Sequence, residues 1–162
     1  MTSTTALVSF LVLLGPCIYG AWSDLAHMRL PNVLTLLVIA LYLVIMPFLL
    51  PLDEFGIRIG VGLCALVLGF VLSVSGLIGA GDAKFGAAGI LFVHPFDVTF
   101  FLQLLGMTAL AGVTAHRLFR SIPALRRAGA GWQSWEETNN FPFGLSIAAA
   151  LLFYQLLVMA LT

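Results

Sequence analysis

The sequence predicts an all-α, polytopic membrane protein with about six transmembrane helices and its N-terminus outside. Three observations carry that prediction. Residues of the AVILMFWYC set make up 61% of the 162 residues and charged residues only 9%, against roughly 25% charged in ordinary soluble domains. Mean hydropathy is +1.10, and the apolar residues fall into runs of the length that crosses a bilayer. Six of the seven Lys and Arg sort to one side of those runs. So few charges exclude a water-soluble enzyme, a nucleic-acid binder and a disordered chain, and the length fits one domain, residues 1–162.

A spanning helix takes ~20 apolar residues. Ala6–Trp22 is a charge-free run of 17 residues, Val33–Leu52 and Ile59–Ile78 are runs of 20, Val98–Ala115 is one of 18, and Phe141–Thr162 is one of 22. The first lacks a basic leader, and Tyr19-Gly20-Ala21 is a poor cleavage site, so it is expected to stay as an uncleaved span. Between Ile78 and Val98 lies the shorter Phe85–Val93, bounded by Lys84 and by His94-Pro95. Started near Gly81, it reaches roughly 20 Å, enough for a thin or tilted crossing. Charge arbitrates whether it spans. With six spans, one side holds Arg29, Lys84, Arg117, Arg120, Arg126 and Arg127, and the other keeps Arg58 with Asp53, Glu54 and Asp97. That is a positive-inside pattern with both termini outside; with five spans the asymmetry collapses.

Two elements outside the spans carry information. Leu30-Pro31-Asn32 precedes the second span, where Pro suits a first helical turn because its missing N–H is not needed. The inside loop Arg117–Asn140 carries Pro123, Gly129, Gly131, four arginines, Trp132, Trp135 and Glu136-Glu137. It reads as a solvated loop with interfacial Trp anchors, the alternative being a substrate-contacting loop. Cys17 and Cys64 both lie in apolar runs with no C-x-x-C pair, so they are expected to be small core residues rather than a metal or redox site.

Acids beside a span are costly and are functional suspects. Asp24 follows the first span in Trp22-Ser23-Asp24, and Asp82 follows the third in Gly79-Ala80-Gly81-Asp82. With two spans between them, both emerge on one face. Gly76, Gly79 and Gly81 allow the chain to unwind and another backbone to approach. Asp82 is thus open to three readings: catalysis, helix N-capping, or ion and proton handling. Two carboxylates ~4 Å apart repel by about 4 kcal/mol at an effective dielectric of ~20, so one would keep its proton near neutral pH. The ionised acid can then take a proton from an attacking water while the protonated one bonds the peptide carbonyl. Such aspartic proteolysis uses no metal and no cofactor. Lys84 reads as a substrate contact or as a positive-inside anchor, and His27 and Glu136-Glu137 as solvated residues. His94 and His116 fall on opposite sides, which argues against a His-based metal site.

The motifs together resemble a family. Gly79-Ala80-Gly81-Asp82, extended by Lys84, matches the G-x-G-D signature of membrane aspartyl peptidases. Asp24 followed by Arg29-Leu30-Pro31-Asn32 resembles the first-acid motif of type IV prepilin peptidases, and Phe141-Pro142-Phe143-Gly144 resembles their P-[FY]-G segment. The resemblance spans nearly the whole chain. It implies an inner-membrane peptidase that removes the basic leader of prepilins at the cytoplasmic face. By position Asp24 and Asp82 would be the catalytic pair. Gly79, Gly81, Lys84, Pro31, Asn32, Pro142 and Gly144 would bind substrate or shape the site. The implied partners are a prepilin, through its leader and N-terminal hydrophobic helix, and the lipid bilayer. Larger members carry a methyltransferase domain with C-x-x-C pairs; the compact form here looks like the peptidases of tight-adherence (Flp) pilus systems, and methyl transfer is not expected. Archaeal preflagellin peptidases share these motifs. Presenilin-like proteases carry their first acid in a Y-D motif, whereas Ser23 precedes Asp24 here, and the Asn-x-x-Asp pattern of lipoprotein signal peptidases is missing. The competing class is a small ion- or proton-coupled transporter built on the same acids and glycine-broken helices. It would favour midplane acids and internal repeats, neither of which the sequence offers. A non-enzymatic pilus-assembly protein would need neither carboxylate.

Overall fold

A backbone surrounded by lipid has to satisfy its own N–H and C=O groups, and the helix does so within one segment. The computed structural model describes residues 2–128, 131–136 and 141–162, and of 125, 126 and 128 the backbone alone. Its elements are α1 (Ser3–His27), α2 (Asn32–Ile45), α3 (Leu52–Val74), α4 (Ala80–Gly89), α5 (Val98–Ser121), α6 (Pro123–Ala128), α7 (Gln133–Glu136) and α8 (Phe143–Leu161). No strand forms among the described residues. Four helices are long and apolar enough to cross a membrane: α1, α3, α5 with the turn before it, and α8. A 3-10 turn, Met46–Phe48, continues α2. The protein is an all-α polytopic membrane protein, as its composition predicts.

Local chemistry sets the helix ends. Thr2 opens α1, its hydroxyl accepting the Thr5 N–H at 3.3 Å. Met28 closes it in the left-handed region, φ 50°, with its N–H on Asp24 O at 2.9 Å. Pro31 precedes α2 and Pro51 precedes α3, whose first turn holds Asp53 and Glu54; acids there suit the helix dipole. At the far end of α3, Gly76 adopts φ 74°. Its N–H reaches Ser73 O, and that of Leu77 reaches Leu72 O, each at 3.0 Å. This is the paired closure that glycine makes possible after a helix. The third apolar run thus ends as helix at Val74, with the remainder used in a turn. The fifth goes the other way: nothing breaks it at Ala115, and α5 continues through His116, Arg117 and Arg120 until Pro123 disfavours helix at Ile122.

The short segment forms α4 and a 3-10 turn, Ile90–Phe92. It reaches about 20 Å, well short of a hydrocarbon core of ~30 Å. It lies inside the bundle against α2, α3 and α8, with Phe85 and Phe92 fully buried. Its last carbonyls are met by side chains. Gln155 Nε2 donates to Phe92 O at 3.0 Å, and Arg58 Nη1 reaches Leu91 O at 3.5 Å. Just beyond, the His94 N–H donates to Tyr154 Oη at 3.1 Å, and the Tyr154 hydroxyl donates to Asp97 Oδ2 at 2.8 Å. Arg58 is fully buried and is held by Glu54, its Nε donating to Oε1 at 3.1 Å.

α1 packs along α8, and α8 against α5. Ser3 Oγ and Thr162 Oγ1 lie 3.0 Å apart, at the end of the bundle opposite Asp24 and Gly144. Four full-length apolar helices and two shorter ones, α2 with its 3-10 turn and α4, follow one another in the order expected. The segment 117–142 is more than a solvated loop. Trp135 of α7 is buried, stacks on His116 at 5.1 Å and carries Trp132 at 5.9 Å. Gly129, Glu137 and Asn140 lie outside the described residues, as does the side chain of Arg126; Glu136 is exposed.

Breaking a buried ion pair by removing one partner costs about 3–5 kcal/mol, whereas replacing both with apolar residues is close to neutral. Glu54→Leu, which leaves the fully buried Arg58 guanidinium without its carboxylate, is therefore expected to lower the unfolding midpoint in detergent strongly, and Arg58→Met added to it to recover most of the loss. The recovery stays incomplete because the Leu91 carbonyl loses its donor.

Candidate functional site

Asp24 sits in the last turn of α1 and is 5% exposed. Its Oδ2 accepts the N–H of Gly144, in the first turn of α8, at 2.7 Å. Asp82 is the third residue of α4. The capping position is Gly79, so the N-cap reading moves three residues upstream, and the Asp82 carboxyl folds back over Gly79. The backbone N–H groups of Gly79 and Gly144 face that carboxyl, which also feels the charge of Asp24. Asp24 is thus bonded to the start of α8, and Asp82, delivered by a different helix, stands near enough to feel its charge. Among the described residues neither acid makes an ion pair.

The glycines are there because of what sits against them. A Cβ on Gly79 would lie 2.6 Å from Asp82 Oδ2, and one on Gly144 would lie 2.9 Å from Asp24 Oδ2 and 2.8 Å from Leu30 Cδ1. A Cβ on Gly81 would meet Leu30 Cβ at 3.2 Å. Leu30 is therefore the wedge between the starts of α4 and α8. The link it belongs to is tied down by Ser23, whose hydroxyl donates to Arg29 O at 2.8 Å. Pro31 starts α2 and Pro142, buried, starts α8.

Both acids border one cavity of about 700 Å³ at the end of the bundle. His27, Arg29, Gln133 and Phe141 complete its walls. His27, read in the sequence as a solvated residue, is exposed but lines this space. Gln133 comes from α7 and had no signal in the sequence; a short helix after two glycines and a Trp gives none. Lys84 stands apart: it is exposed, lies off the cavity, and its Nζ donates to Asn32 Oδ1 at 3.2 Å. Lys84 and Asn32 therefore staple α4 to α2. Asp53, Glu54 and Asp97 lie at the far end. Among the described residues, no group of three or more His, Cys, Asp or Glu is placed to hold a metal ion.

Such an arrangement has the parts for hydrolysis by water between two acids: a concave space, two carboxyls bordering it, and a backbone amide that orients one of them. A model of the type IV leader peptidase family matches residues 11–115. That stretch contains Asp24, Asp82 and Leu30-Pro31-Asn32, and stops short of Gly144. Comparison with curated proteins and with solved structures gave no match.

Close packing at Gly144 generates a contrast. Gly144→Ala is expected to push the Asp24 carboxyl off its amide and to lower the thermal midpoint in detergent. Gly86→Ala, whose new methyl would meet nothing nearer than Ile147 Cδ1 at 3.8 Å, is expected to leave it unchanged or raised.

Proposed function

The chain belongs to the type IV leader peptidase family, and from that premise we propose that it is a membrane aspartyl endopeptidase that removes the leader of type IV prepilins of the tight-adherence (Flp) kind. Asp24 and Asp82 are the catalytic pair in this reading. The observation that carries it is that two acids from α1 and α4 border one cavity, with Asp24 held there by the Gly144 amide.

The chemistry follows from placing a water between the carboxyls. The ionised acid takes a proton from the water as its oxygen bonds to the scissile carbonyl carbon, and the protonated acid hydrogen-bonds the carbonyl oxygen as charge gathers there. Collapse of the tetrahedral adduct breaks the C–N bond, and a proton passes to the departing amine. The products are a carboxylate on the leader and a free amine on the mature chain. Leader recognition is assigned to the cavity, where the ionised acid of the pair offers negative charge to a basic peptide. Arg29, Lys84, Arg117 and Arg120 gather at the same end of the bundle, which by the positive-inside rule faces the cytoplasm of the inner membrane.

Asp24→Asn and Asp82→Asn, each confirmed at normal level in the membrane, are expected to lower prepilin cleavage by at least about 100-fold in a gel-shift assay. Cleavage at the normal rate by either variant would overturn the pairing of the two acids.

A further inference from the structure

The cavity has a neighbour of opposite character. α3 packs along α4 and α5 packs on α8, and between α3 and α5 an open groove passes Leu68 and Cys64 on α3 and Phe101 on α5. Its floor is α4 with Ile147 of α8, and its volume is about 430 Å³. The wall on α3 from Val61 to Leu72 is roughly 16 Å long, about three turns of helix. Almost no polar surface lines it, except at one end, where it reaches Asp82. Ile78, Asp82 and Phe143 border both the groove and the polar cavity.

We propose that this groove holds an apolar helix of the substrate, the segment on the mature side of the cleaved bond, while the polar leader lies in the cavity beyond Asp82. The inference rests on the peptidase reading and adds where the substrate runs. Three observations select a helix as occupant. The groove lies along α4, the helix too short to cross, so its depth is membrane depth. Its floor at Gly86 is bare, a Cβ there meeting only Ile147 Cδ1 at 3.8 Å, which leaves room for a helix to approach closely. It ends on an acid, so a chain leaving the top of the groove passes the carboxyl as it enters polar space. A helix in lipid has no unsatisfied backbone until its end, and the bond offered to water is the first one past that end.

Gly86→Phe plugs the groove; Asp82 lies one turn N-terminal on the same face of α4, so a substrate that does not reach the groove is needed to report whether that carboxyl is disturbed. The probes are two synthetic substrates with the same basic leader and cleavage junction. One continues into a 20-residue apolar helix and the other stops four residues past the junction. With the long substrate, Gly86→Phe is expected to raise KM by at least about tenfold through lost apolar burial; with the short one it should match wild type. Cys64, exposed on the groove wall, supplies a readout independent of cleavage. In an Asp82→Asn background, oxidation should join Cys64 to a cysteine placed in the apolar helix, and Gly86→Phe should abolish that product. Unchanged cleavage of the long substrate by Gly86→Phe, with no Cys64 adduct, overturns the groove assignment and leaves a lipid chain as the occupant. A Cys64–Cys64 dimer in place of the adduct overturns it in favour of a second copy. If wild type cleaves neither substrate, the peptidase reading falls, and the adduct alone then decides the groove.

Discussion

A backbone that stops inside a membrane needs partners from elsewhere in the protein, and α4 is such a backbone. Burying it among α2, α3 and α8 removes it from lipid, and Arg58, Gln155 and Tyr154 supply hydrogen bonds at and just past its end. That anchoring sets where its other end lies. Asp82 stands in the first turn of a helix held from behind, so its depth is decided at the opposite side of the bundle. The buried Arg58–Glu54 pair, which would be an extravagance in a soluble core, is here the means by which an incomplete span is made acceptable.

At the near end the controlling feature is steric. Leu30 fills the space between Gly81 and Gly144, while Gly144 gives the Asp24 carboxyl room to reach its amide and Gly79 gives the Asp82 carboxyl room to fold back. Small residues do the work of positioning and one large residue sets the spacing. The Pro31-Asn32 dipeptide that follows Leu30 acts through backbone and staple rather than through the cavity. Pro31 starts α2, and Asn32 holds Lys84.

The order of the apolar helices and the shared end of Asp24 and Asp82 were legible in the sequence because apolar run length and the placement of Arg and Lys are direct consequences of the bilayer. The way the short segment ends was not. Arg58 read as a stray cation on the sparsely charged side, since nothing local reveals that a guanidinium will reach a carbonyl of a segment 33 residues away. Asp82 was open among capping, catalysis and ion or proton handling. The cap falls on Gly79, and the Asp82 carboxyl leans on that residue while bordering the cavity. Gln133 and the burial of Trp135 were invisible because α7 is a single turn placed by stacking on His116, a contact with no periodicity to announce it.

The bond between Asp24 and Gly144 joins residues 120 positions apart. At a synthesis rate of about 5–20 residues per second, the carboxyl waits roughly 6–24 s for its amide. Through that interval α1 resides in the bilayer with one of the chain's costliest groups uncovered, and the paired acids do not exist as a unit. Insertion of the last helix is thus also the step that assembles them. A ribosome-bound chain halted before Phe143 would carry both acids and the α2–α4 packing, but not the helix on which Asp24 closes.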